Sequence, residues 1–269
     1  MKYPEFTAQW YYLRNLRWPI WTAIVLIGTE VVVWIGSGRI AAYQHAPAPS
    51  GFELLGLLMQ SAMYVILFAL AAAAASGIAG EFSTGALQKI LAGPVKRGRY
   101  LVSRATALLT IGLALLCVAL LVALLITIPQ GDLTGLQEGE YVIISTGRLW
   151  WNLLIAFGIS AVTMLAVLSF GMFWAAILRS AAASLILVFG LLVIGGLLHA
   201  TGTGALFGID EWNLLFYCDY PFRTYTEAAR GLPVTWGNAL SVILGSIAYT
   251  GVFGGGSLGI FSRIDLIRN

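Results

Sequence analysis

Residues 54–99 read LLGLLMQSAMYVILFALAAAAASGIAGEFSTGALQKILAGPVKRGR. Positions 54–78 carry no charged side chain, and then Glu81, Lys89, Lys96, Arg97 and Arg99 crowd into 81–99. A helix needs about 20 mostly apolar residues to cross a bilayer. The first part therefore reads as a membrane span and the second as the connection leaving it. The same alternation extends in both directions. Apolar segments at about 18–38, 103–128, 149–177, 181–200 and 237–261 complete a set of six. Each is bounded by polar or helix-breaking residues, among them QHAPAPSG after the first and PQGDLTGLQEGE after the third.

Composition agrees. The chain of 269 residues is 59% hydrophobic and 10% charged, with a mean hydropathy of +0.87. A soluble domain carries about 25% charged residues, so a soluble fold is excluded. The expectation is an all-α polytopic membrane protein with six transmembrane helices over 18–269. The first apolar run, from Trp18 to Gly36-Ser37-Gly38-Arg39, is longer than a secretory-signal core and reads as a retained span.

Lysine and arginine orient the chain. With the N-terminus in the cytoplasm, Lys2, Arg14, Arg17, Lys89, Lys96, Arg97, Arg99, Arg104, Arg179, Arg263 and Arg268 lie inside. Arg39, Arg148, Arg223 and Arg230 lie outside. Eleven against four places both termini in the cytoplasm by the positive-inside rule. Ahead of the first span, Phe6, Trp10 and Leu13 share one helical face. Arg14 and Arg17 can snorkel to lipid phosphates beside them. Residues 1–17 read as an interfacial helix on the cytoplasmic surface, or as a tail with aromatic anchors.

Several residues invite chemistry. Glu30 lies inside the first span, where an acid is costly and is by default a functional candidate: a path residue, a cation or proton site, or a protonated structural carboxyl. Gly251, Gly255 and Gly259 fall four apart on one face of the last span, which suits close packing within the bundle better than a dimer seam. Trp212, Phe216, Tyr217, Tyr220, Phe222 and Tyr225 cluster in the last outer connection and read as an interfacial aromatic belt, with Asp210, Glu211 and Asp219 solvated beside them. Cys117 and Cys218 differ in expected depth and read as unpaired thiols. His45 and His199 stand far apart, and no metal site is expected.

Projected as a helix, 81–92 has two faces. Glu81, Thr84, Gly85, Gln88 and Lys89 lie on one, and Phe82, Ser83, Ala86, Leu87, Ile90 and Leu91 on the other. Gly93-Pro94 ends it. Periodicity alone leaves two readings, a topological anchor or a knob for a soluble partner.

The stretch resembles the intracellular-loop signature of ABC type-2 transporter permeases, the transmembrane subunits of ATP-binding-cassette exporters. Glu81, Gly85, Ala86, Leu87, Ile90, Leu91, Pro94, Val95, Arg97, Ser103 and Arg104 meet the pattern, with Ala86 at a position more often threonine. The resemblance implies that the loop, about 79–102, is a cytoplasmic coupling helix docked on an ATPase. Glu81, Phe82, Gly85, Leu87, Gln88, Lys89, Leu91, Pro94 and Arg97 would be its docking residues, and Glu81, Gln88 and Lys89 its contact face. The lead helix, with Trp10, Leu13, Arg14 and Arg17, would resemble the family's connecting helix. No G-x-x-x-x-G-K-[ST] occurs. The resemblance thus implies no cofactor on this chain, with ATP and Mg on a partner ABC ATPase, and a second or related permease copy. The chain would be a transport subunit, not an enzyme, in the inner membrane of a prokaryote, in contact with lipids and with no nucleic acid. A proton- or ion-coupled secondary transporter centred on Glu30, and a membrane anchor for an ATPase, are the alternatives.

Overall fold

The computed structural model describes residues 17–44, 49–85, 97–129, 133–138, 141–201, 214–232 and 239–263. In chain order the elements are α1 (Trp18–Tyr43), α2 (Gly51–Ser83), α3 (Arg97–Thr127), β1 (Leu136–Glu138), β2 (Tyr141–Ile144), α4 (Thr146–Leu178), α5 (Ala181–Ala200), α6 (Leu214–Ala229) and α7 (Ala239–Arg263). All but α6 among the helices are long and apolar enough to cross a membrane. The protein is an all-α polytopic membrane protein of six spans, with one short antiparallel hairpin, β1–β2, between α3 and α4. The start of α1 and the end of α7 share one side, the terminal face. The opposite side is the distal face.

Local sequence sets the ends of α2. Ser50 accepts a hydrogen bond from the Glu53 amide at 3.3 Å, the S-x-x-E pattern of a helix start. At the other end Gly85 takes φ +70°, a left-handed conformation that costs glycine little. The Ser83 and Thr84 hydroxyls both donate to the Gly80 carbonyl at 2.9 Å. This corrects the expectation of a separate helix beginning at Glu81. The alanine run 71–75 favours continued helix, and α2 runs through Glu81 and Phe82 to Ser83 before the chain turns. Its 33 residues span about 50 Å. Residues 86–96 lie outside the described residues, as do 1–16.

α2 and α4 are the most enclosed spans, and α1, α5 and α7 the least. The α2–α4 crossing is close because it is lined with small residues. A Cβ added at Gly171 would sit 2.9 Å from the Ala74 Cβ and 3.1 Å from the Ala71 carbonyl oxygen. The short turn between α4 and α5 uses Arg179 at φ +52°, uncommon for a residue with a side chain.

α7 departs from expectation. A π-helical turn at Thr250–Gly254 shifts its phase. Gly256 then packs toward Phe173, where an added Cβ would meet the ring at 2.8 Å, while Gly251, Gly255 and Gly259 have nothing within 4 Å. The glycine stripe therefore faces away from the bundle rather than into it. Phe253, inside the π turn, stacks on Tyr249 at 5.4 Å and meets Phe170 and Phe173 edge-on at 5.2 and 5.1 Å. Both cysteines are free, Cys117 exposed on α3 and Cys218 buried in α6.

Gly171→Val forces the α2–α4 crossing apart and lowers stability by about 1–3 kcal/mol, the cost of overpacking. Gly158→Val, on the same helix with open space around it, leaves the unfolding midpoint in detergent nearly unchanged.

Candidate functional site

Glu81, in the last turn of α2, points into the protein and is only 8% exposed. Its Oε1 receives Arg104 Nη1 of α3 at 3.1 Å, and its Oε2 accepts the hydroxyl of Tyr100. Tyr100 and Arg104 are themselves buried, at 2% and 1%. The Arg104 guanidinium occupies the space that a side chain at position 77 would fill, so Gly77 makes room for it. One helical turn separates Gly77 from Glu81, and one separates Tyr100 from Arg104. The pair is thus a fork seated between two adjacent helix faces.

Around it a second set of contacts gathers. Phe82 packs on Phe261 of α7 with ring centroids 5.4 Å apart, and the Arg179 guanidinium lies 5.7 Å over the Phe82 ring. Arg97, at the start of α3, donates from Nη1 to the carbonyls of Phe261 and Ser262 at 3.4 and 3.2 Å. A cation there suits the end of a helix, whose last carbonyls lack partners. The flanks of segment 86–96 are therefore fixed on both sides. Residues 81–82 join α2 to α3, α7 and the α4–α5 turn, and Arg97 joins α3 to α7.

This placement corrects the role expected for Glu81. It faces inward and holds two spans together, so it is not part of an exposed contact face. Phe82 is likewise packed. Gly85 forms the turn. Leu87, Gln88, Lys89, Leu91 and Pro94 lie outside the described residues, as do Trp10, Leu13 and Arg14 of the lead segment. Arg17 is described: it is exposed and caps the start of α1, its carbonyl accepting the Trp21 amide at 3.2 Å.

A second polar set ties α6 to α2. Asp219 is 5% exposed, and its Oδ1 accepts Gln60 Nε2 at 2.5 Å and the Tyr64 hydroxyl at 2.7 Å, with Arg223 Nη1 3.6 Å from Oδ2. Arg230 Nε donates to Glu53 Oε1 at 2.7 Å. Glu53 lies at the distal end of α2, while Gln60 and Tyr64 lie about 10 and 16 Å further along its axis. α6 therefore climbs antiparallel to α2, from membrane depth up to the distal face. The acid expected to be solvated is enclosed, and Tyr217, Tyr220, Phe222 and Tyr225 are buried against the bundle rather than exposed as a belt. The Arg230–Glu53 pair is half exposed and worth about 0–1 kcal/mol. The Asp219 set is enclosed and fixes where α6 sits.

Glu30 is wholly buried on the face of α1 that it shares with Thr22 and Leu26. No described residue donates a hydrogen bond to either of its carboxylate oxygens.

Sequence spacing missed Tyr100, Arg179 and Phe261 around the 86–96 flanks, and Gln60 and Tyr64 around Asp219. The latter are 159 and 155 residues from their partner, beyond the reach of any local pattern. Glu81→Ala strands the buried Arg104 and destabilises by about 3–5 kcal/mol, whereas Glu81→Leu with Arg104→Met removes both charges and recovers most of that loss. Denaturant unfolding in mixed micelles measures both.

Among curated proteins none matches. A family model described as ABC-2 family transporter protein matches residues 22–266, which include most of α1 and all the other spans, α6 and both flanks of segment 86–96. The chain belongs to the ABC-2 transporter family and is a membrane permease domain of that family.

Proposed function

We propose that this chain is the permease subunit of an ATP-driven exporter, powered by a separate ABC ATPase subunit that holds ATP and Mg. The terminal face is the cytoplasmic face of a prokaryotic inner membrane, with both termini inside. The eleven-to-four distribution of lysine and arginine supports that orientation. Two copies, or this chain and a related one, enclose the transport path. The outward stripe Gly251, Gly255 and Gly259 supports a close helix contact with such a copy.

The observation that carries this reading is the fixing of both flanks of segment 86–96. A partner seated on that segment pushes on Glu81 and Phe82 through Gly85, and on Arg97 directly. Those three residues touch α3, α7 and the α4–α5 turn. Motion entering there reaches several spans at once. The roles divide accordingly. Leu87, Gln88, Lys89 and Leu91 dock the ATPase, Pro94 ends the docking element, and Glu81 with Arg104 passes the movement inward.

The division is testable by co-expressing the chain with candidate ATPase subunits and purifying it in mild detergent. Leu87→Asp or Gln88→Arg abolishes co-elution of the ATPase without changing the unfolding midpoint of the permease. Glu81→Gln keeps co-elution but loses the ATP-driven distance change between spin labels at Ser83 and Arg263. Absence of any bound ATPase favours the carrier reading centred on Glu30. A bound ATPase with no ATP-driven distance change in the unsubstituted chain favours a membrane anchor.

A further inference from the structure

Among the described residues the other buried acids are satisfied. Glu81 has Tyr100 and Arg104, and Asp219 has Gln60, Tyr64 and Arg223. Glu30 is more deeply buried than either, yet among the described residues neither oxygen has a donor. An ionised carboxylate left unpaired in an apolar interior costs several kcal/mol. The group therefore holds a cation. A metal ion needs several oxygen ligands, and no group of three His, Cys, Asp or Glu side chains forms among the described residues. One carboxylate alone can hold a proton.

A cavity lies above it. Ser37, Ala41 and Gln44 lie seven, eleven and fourteen residues beyond Glu30, on the same helical face of α1. They line a cavity of about 330 Å³ at the distal face, whose other wall carries Glu53 and Arg230. Ser37, at its floor, stands about 10 Å above Glu30 along the helix. Val33 and Trp34, both partly buried, fill the turn between.

We infer that Glu30 is a proton-binding site loaded from the distal face through the Ser37–Gln44 cavity, with Val33 and Trp34 as its plug. This rests on the geometry of α1 and its neighbours, not on coupling to an ATPase. Few titratable groups stand near enough to compete. On α2, Glu53 is paired with Arg230, Tyr64 with Asp219, and Glu81 with Arg104. On α3, Arg97, Arg99, Tyr100 and Arg104 belong to the terminal end, and Cys117 is exposed. Through Leu198, α5 has none. On α1 itself Arg39 and Tyr43 are exposed near the distal end. With a proton bound, the seam between α1 and its neighbours carries no charge. Release of the proton places an unpaired anion there and favours opening of the seam to water.

Carbodiimides test this on the intact chain in lipid nanodiscs, because they react with protonated carboxyl groups and the adduct is mapped by peptide mass spectrometry. One probe is apolar dicyclohexylcarbodiimide, and the other is a water-confined quaternary-ammonium carbodiimide. Both modify Glu30, and modification rises as the pH falls. In Ser37→Trp the water-confined reagent slows by about tenfold, equivalent to about 1.4 kcal/mol on the barrier, while the apolar reagent keeps its rate. Val32→Trp, on the outward face of α1, changes neither. Gln44→Trp at the cavity rim repeats the test if Ser37→Trp fails to fold. No adduct at Glu30 with either reagent at any pH overturns the site. Unchanged water-confined labelling in both cavity variants overturns the route.

Discussion

One unbroken helix organises this permease. α2 packs against α1, α3, α4, α5 and α6, and it carries a polar tie at each level of its length. Glu53 binds Arg230 at the distal end, Gln60 and Tyr64 bind Asp219 within the membrane, and Glu81 binds Tyr100 and Arg104 at the terminal end. In lipid, backbone polar groups are satisfied only inside a helix or a closed barrel. A rod of 33 residues meets that demand and still reaches beyond a hydrocarbon core of about 30 Å. The excess length is what puts Glu81 at the edge of the bundle, where it can meet both α3 and the chain leaving α2. A break at residue 80 would have cut Glu81 and Phe82 from the span that carries them.

The polar ties differ in what they contribute. A buried ion pair adds little net stability against an apolar replacement, because desolvation cancels most of the attraction, but breaking it is costly. Glu81–Arg104 is best understood as a fastener of geometry. It leaves α2 and α3 one low-energy register at the terminal face, and the glycine at 77 is the space that register requires. Asp219 does the same for α6. Its partners on α2 fix both the depth and the direction of a helix too short and too polar to cross the membrane by itself. The half-exposed Arg230–Glu53 pair then adds alignment rather than strength.

The spans were readable because lipid imposes a simple rule, a run of about 20 apolar residues, and each run here is bounded by polar or breaking residues. The concentration of charge at 81–99 is legible directly, because the flanking runs carry so little. The role of Glu81 was misplaced for a physical reason. A projection assigns a residue to a face but does not say which face meets a neighbour, and the partners of Glu81 are 19 and 23 positions away. The glycines of α7 failed similarly. Spacing of four puts them on one face without saying which way that face turns, and all three face outward. Asp219 read as solvated because its surroundings in sequence are polar and aromatic, whereas its surroundings in space come from α2.

The uneven packing bears on how such a protein can move. α2, α3, α4 and α6 are bound together by small-residue crossings and by enclosed polar groups, each with few alternative arrangements. α1 and α5 lie at the edge of that unit, and α1 meets it through a face of Thr22, Leu26 and Glu30. α7 is attached at two places, through the aromatic set around Phe253 and through Arg97 and Phe82 at its end. Segments with fewer buried contacts open at lower free energy. The α2–α4 core, close-packed at Gly171, has little room to deform. The weakest attachments, and so the places most easily displaced, are the seams of α1, α5 and α7. The α1 seam contains Glu30, whose carboxylate has no donor among the described residues, while the glycine stripe of α7 lies on the opposite, outward side of its helix. The packing thus divides the molecule into a stiff centre, α2 with α3, α4 and α6, and three more loosely held spans at its edge.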